Sequence, residues 1–153
     1  MLFLIIFSCL NHLYGDVLNN SFYFVLGFIG YIYWGKDQKE IVKTKKNEKI
    51  IYLSLLVIGT IVLNVILKTT DDPLPFLDSF TTISSLIATY YMIKKKIDTW
   101  IIWFVNDIFY AIEYFMLPNQ AFYLFLLNII WAFMAVASYI NWYKIMKGQD
   151  SYD

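Results

Sequence analysis

Trp100, Trp103, Asp107, Tyr110 and Tyr114 stand at offsets 0, 3, 7, 10 and 14 inside an otherwise apolar run, DTWIIWFVNDIFYAIEY (98–114). At 100° per residue these five occupy an arc of about 80°, one face of a helix. A lone buried carboxylate is expensive, so Asp107 must be paired, protonated or functional. Indole faces stack on flat rings and attract cations, at about 0.5–2 kcal/mol per contact. Asn128, Trp131, Ala135, Ser138 and Trp142 repeat the same offsets further along the chain, and Asp78, Thr81, Thr82, Ser85 and Thr89 form a third stripe at helical spacing. Amides and hydroxyls on such faces bond to hydroxyl groups, and one carboxylate offsets one positive ring. No lysine lies within these runs to hold a phosphate. The chemistry they suit is recognition of an aromatic cation bearing hydroxyls, not of a phosphate ester.

Each stripe also has a plainer reading. Serines and threonines pack helices together or bond back to their own carbonyls. Trp100 serves equally as an interface anchor, and Asp107 as one end of a structural hydrogen bond. Glu113 lies off the main stripe, where snorkelling to the surface is expected, and His12 reads as incidental.

The elements that must carry these faces belong to a membrane class. The chain has 153 residues, 59% hydrophobic and only 16% charged, against about 25% charged in a typical soluble domain. Five long stretches are apolar: Val17–Gly35, Ile50–Leu67, Ser79–Ile93, Thr99 to about Leu117, and Ala121–Tyr143. About 20 helical residues cross a ~30 Å hydrocarbon core, so each reads as a spanning helix, the third lengthened by its polar start near Phe76. Met1–Leu13 is apolar but short; with no basic n-region or convincing cleavage site it reads as a truncated helix, not a signal peptide. The expected architecture is an all-α, polytopic membrane bundle of six helices. Polar faces in neighbouring helices are then buried against each other or around water, since lipid leaves their groups without partners.

Other classes recede. Net charge is zero, which argues against a nucleic-acid partner. Every basic residue is lysine, so no guanidinium fork is present for phosphate. A single cysteine and a single histidine permit no disulfide or zinc cluster. There is no phosphate-cradling GxxxxGK(S/T), no HExxH and no CxxC. No enzyme, cofactor or metal site is expected.

Lysine placement sets the topology. Six lysines lie between the second and third helices, three between the fourth and fifth, and two after the sixth, so alternation places eleven of twelve on one face. Asp16, Asp71, Asp72, Asp78 and the Pro118-Asn119-Gln120 turn occupy the other. By the positive-inside rule the lysine face and the C-terminus are cytoplasmic. There is also an internal echo: Gly30-Tyr-Ile-Tyr-Trp34-Gly-Lys36 matches Ser138-Tyr-Ile-Asn-Trp142-Tyr-Lys144, both ending helices that run towards the lysine face. Parallel repeats of this kind suit a transporter built from two like halves; paired interface anchors are the alternative.

The Trp100-x-x-Trp103-x-x-x-Asp107-x-x-Tyr110 motif, the segment DSFTTISSLIATYYMIKKKIDTW (78–100) and LYGDVLNNSFY (13–23) together resemble the PnuC family of vitamin transporters. The resemblance covers essentially the whole chain and is clearest over 76–144. It implies a SWEET-like fold of three helices, one linker and three more. Residues 50–67 would be the linker, 76–144 the second bundle, and 1–35 an incomplete first bundle that begins inside the family's second helix. It implies facilitated uptake of nicotinamide riboside across the inner membrane, trapped by phosphorylation inside the cell; relatives carry thiamine or riboflavin. Trp100 and Trp103 would stack on the ring, Asp107, Tyr110, Thr82 and Asn128 would make polar contacts, and Trp131 would belong to the same substrate site. Expected partners are the substrate and the lipid bilayer, with a homo-oligomer admitted but not required. A thiamine carrier and a non-transporting membrane fragment stay open as alternatives.

Overall fold

The computed structural model describes residues 2–36, 40–117 and 122–149. Six helices follow in order: α1 (Leu2–Leu10), α2 (Tyr14–Lys36), α3 (Lys46–Leu67), α4 (Pro75–Ile93), α5 (Thr99–Met116) and α6 (Phe122–Gln149). The all-α expectation holds, and each apolar stretch of the sequence became one helix. The Pro118-Asn119-Gln120 turn lies outside the described residues, as do the side chains of Trp34 and Lys36 that close the first copy of the internal echo.

The helix ends follow local chemistry. Pro75 opens α4 in its first turn, where a missing N–H costs nothing. Leu117 leaves α5 with φ −59° and ψ 140°, the extended geometry that a following proline enforces. His12 turns the corner between α1 and α2 with a left-handed φ of 58°. Far from incidental, its ring lies 2.6 Å from Asp71, which also accepts the Tyr14 hydroxyl at 2.7 Å. That triad fastens the α1–α2 corner to the loop ahead of α4.

α4 is the hub: it packs against α2, α3 and α5, while α5 packs against α6 and α1 against α2. Its buried side chains are mostly small, with Ser79, Thr81, Thr82, Ser84, Ser85 and Ala88 all covered, and small residues let neighbouring backbones come close. Hydroxyls that face no neighbour return to the helix itself, as Ser79 does to the Pro75 carbonyl and Thr89 to that of Ser85. α3 is peripheral. Along it only Thr60 and Leu67 are buried, and Ile58, Ile61, Val62 and Val65 are more than half exposed. α3 and α6 are long and apolar enough to cross a membrane, with mean hydropathy of 2.6 and 1.9 over their best windows.

The lysine-rich end is clamped by ion pairs. Lys49 meets Asp98 at 2.6 Å and Lys96 meets Glu48 at 2.7 Å, tying the start of α3 to the α4–α5 turn. Burial works against the Asp98 charge, but hydrogen bonds from Lys49 and Thr44 outweigh it and hold the carboxyl below the usual range. Val42 bridges the same turn through backbone bonds with Lys95 and Ile97.

α2 and α4 come very close together at Gly15. A Cβ there would lie 2.5 Å from Asp78 Oδ1 and 2.7 Å from Thr82 Oγ1, while the Gly15 N–H donates to Asp78 Oδ2 at 2.8 Å. The carboxylate cannot retreat without losing that bond. Gly15→Ala is expected to destabilise the folded chain by about 1–3 kcal/mol, the cost of overpacking a filled site. Thermal unfolding of the purified protein in detergent measures it; an unchanged midpoint would show that α2 and α4 can part freely.

Candidate functional site

A cavity of about 460 Å³ opens between α1, α2, α4, α5 and α6. Helical periodicity alone explains its principal wall. All five residues of the α5 stripe, Trp100, Trp103, Asp107, Tyr110 and Tyr114, line it. α6 contributes Asn128, Trp131, Ala135 and Ser138 from the matching stripe. The two helices pack antiparallel, so the start of one stripe meets the end of the other, as Trp100 meets Trp142.

Six of the seven residues expected to contact a ligand therefore meet in one cavity: Trp100, Trp103, Asp107, Tyr110, Asn128 and Trp131. Thr82 does not join them. It is fully buried, faces Asp78 Oδ1 at 3.4 Å and abuts Gly15. The α4 stripe has split: its first turns seal α4 against α2 and α5, and Thr89 reaches the cavity. Glu113 is corrected too. It does not snorkel but is wholly buried, with Thr81 Oγ1 3.2 Å from its Oε2.

Asn19, Asn20 and Tyr23 of α2 line the cavity opposite α5 and were not singled out from the sequence. Their signal was present, since adjacent amides early in an uncharged 19-residue stretch need partners. Asn19 shows why they are there. Its Nδ2 donates to the Tyr110 hydroxyl at 2.8 Å, and its Oδ1 accepts from Ser85 at 2.9 Å. Both ends of the amide are used, and α2, α4 and α5 are joined by it.

The ring arrangement is ordered. Tyr110 and Tyr114 stack with centroids 5.8 Å apart and planes 10° from parallel. Trp100 meets Trp142 edge-on at 5.3 Å, and Tyr23 leans on Trp103 at 5.9 Å. The polar groups between these rings are left open. The indole N–H groups of Trp100 and Trp103 are buried with no hydrogen-bond acceptor, and Asn128 Oδ1 has no donor because its Nδ2 is committed to the Leu124 carbonyl. Asp107 is 4% exposed and, among the described residues, forms no ion pair. The residues that line the cavity thus carry two indole donors and a neutral acceptor with no partner inside the protein, beside a carboxylate in no ion pair.

Comparison with known proteins identifies the family. The family model described as "Nicotinamide mononucleotide transporter" matches residues 1–144. A nicotinamide riboside transporter PnuC from Neisseria mucosa is 28% identical over 150 residues, covering 88% of this chain and 57% of the relative. The structure resembles a crystal structure of the vitamin B3 transporter PnuC, with a TM-score of 0.73 and 25% identity over 92% of this chain and 66% of that one. The chain spans rather more than half the length of the curated relative that it matches.

The Asn19 junction yields a prediction. Tyr110→Phe removes the acceptor of a buried amide donor and should cost about 1–3 kcal/mol of stability, the penalty of an unsatisfied buried polar group. Ser85→Ala should cost a similar amount by orphaning Asn19 Oδ1. Thermal midpoints of the two variants against the parent measure this, and parent-like values for both would mean that Asn19 is not a structural junction.

Proposed function

The chain belongs to the nicotinamide mononucleotide transporter family, and we propose that it is a multi-pass membrane carrier for nicotinamide riboside that works by facilitated diffusion. The observation that carries this reading is the cavity's unfilled chemistry: an unpaired carboxylate and two unpaired indole donors held between aromatic faces. A positively charged pyridinium ring slid against Trp100 and Trp103 would meet the indole faces and the negative Asp107 together. Asn128, Tyr110 and the indole N–H groups would serve ribose hydroxyls, and Trp131 would close the wall. Thr82, buried in the α2–α4 contact, has no part in the site. The names of the relatives, a riboside transporter and a vitamin B3 transporter, accord with the same ligand chemistry.

In this reading residues 50–67 are the linker helix and 76–144 the second bundle of a parallel-repeat transporter. The lysine-clamped end faces the cytoplasm with the C-terminus, and the acidic end faces out. A reporter fused after residue 153 should be active in its cytoplasmic form; activity only in its periplasmic form would invert the topology.

Two ligand predictions follow from the cavity. Asp107→Asn should weaken riboside binding by about 1–3 kcal/mol, as for loss of a charge-assisted bond, while the unfolding midpoint stays at or above that of the parent. Titration calorimetry beside thermal unfolding separates the two; equal losses of binding and folding would make Asp107 structural. The mononucleotide adds negative charge, and among the described residues no lysine lines the cavity. It should therefore bind at least about tenfold more weakly than the riboside, a gap of roughly 1.4 kcal/mol. Equal affinities would contradict the proposed site, and binding of thiamine alone would reassign its substrate.

A further inference from the structure

A second concentration of unused chemistry lies at the acidic end of the bundle. Asp16 on α2, Asp78 on α4 and Glu113 on α5 each offer a carboxylate oxygen, and these atoms all lie within 4.8 Å of one another. The three side chains are essentially inaccessible, at 1%, 0% and 0% exposure. Among the described residues no lysine or histidine pairs with any of them: His12 is held by Asp71, and the lysine ion pairs are those of Asp98 and Glu48.

The protein's own donors satisfy part of this oxygen set. Gly15 N–H and Thr82 serve Asp78, Thr81 serves one Glu113 oxygen, and the Tyr114 hydroxyl donates to Asp16 Oδ2 at 2.9 Å. Asp16 Oδ1 and Glu113 Oε1 remain, buried and without partners. A fourth carboxylate from outside the cluster points the same way. Asp72, in the loop before α4, is 8% exposed; one oxygen accepts the Leu74 N–H at 2.8 Å, and the other is buried and receives no donor from the described residues. Asp72 interacts directly with Asp78 and bears electrostatically on Asp16 and Glu113. Carboxylates this close repel strongly in a medium of low polarity. Oxygens separated by up to 4.8 Å leave room for a central ion bonded at about 2.3–2.6 Å, the calcium distance. An all-oxygen, carboxylate-rich set without imidazole or thiolate suits a hard cation and not a transition metal.

We propose that Asp16, Asp78 and Glu113, with Asp72 at the rim, bind a divalent cation of the calcium class that ties α2, α4 and α5 together. Through the Asp16–Tyr114 hydrogen bond the ion also fixes one wall of the cavity, and the inference stands whatever the cavity carries. Terbium chloride added to the purified full chain in detergent should give luminescence sensitised by aromatic excitation, since Tyr114 touches the ligand set. Calcium chloride should displace it. The unfolding midpoint should rise by roughly 5 °C in saturating calcium relative to EDTA, as binding to the folded state alone requires. Glu113→Gln should lose both responses; should that variant fail to fold, the parent's terbium–calcium competition still decides. Absence of displaceable terbium emission, an identical midpoint in calcium and EDTA, or a folded Glu113→Gln that keeps the calcium response would each overturn the site. The carboxyls would then be neutralised by protons alone.

Discussion

The Asn19 amide holds the bundle's polar interior in register. It receives a hydrogen bond from Ser85 of α4 and gives one to Tyr110 of α5, so three helices meet at one side chain. One turn away, Tyr114 repeats the link by donating to Asp16 of α2. In an apolar medium such bonds have little competition from solvent, and breaking one strands a group that cannot find water. Together with the Tyr23–Trp103 ring contact, these two bonds set the height at which α2 stands opposite α5. Remove this junction and the α5 tyrosines lose the support that fixes their stacked rings.

Many of the buried polar groups along these helices are paired within the protein. Towards the lysine end and at the centre, donors and acceptors close on each other: Thr99 on the Ala88 carbonyl, Asn19 on two partners, Lys49 on Asp98. Between those layers the cavity keeps Asp107, two indole N–H groups and the Asn128 carbonyl oxygen open. Buried polar atoms without partners occur elsewhere too, as at Asn106 and Thr44, but those of Trp100, Trp103 and Asn128 belong to residues that line one cavity, as in a site whose groups are desolvated in advance of a ligand. The aromatic walls serve the same end: large, stiff faces that need little ordering on binding.

Much of this was legible in the sequence. Where one face repeats at 3.6-residue spacing over several turns, as from Trp100 to Tyr114 and from Asn128 to Trp142, periodicity alone fixes which side chains converge. Lysine clusters marked the helix ends well. Thr82 and Glu113 were misjudged for a common reason: their roles depend on which helix lies opposite. Thr82 is on the correct stripe, but α2 covers that stretch because Gly15 allows close approach. Glu113 lies off the main stripe near the acidic surface, where snorkelling is expected, yet it is buried against Thr81 of α4. The carboxylate set of Asp16, Asp78 and Glu113 was hidden more deeply, since it is assembled from positions dozens of residues apart with no motif spacing to announce them.

The central claim is that the aromatic face of α5 receives a pyridinium riboside between Trp100 and Trp103. Tryptophan fluorescence of the purified chain, titrated with nicotinamide riboside, tests it most directly. The account requires saturable quenching that disappears in a folded Trp103→Ala variant. Saturable quenching of undiminished affinity in that variant, or none in the parent chain, would contradict it.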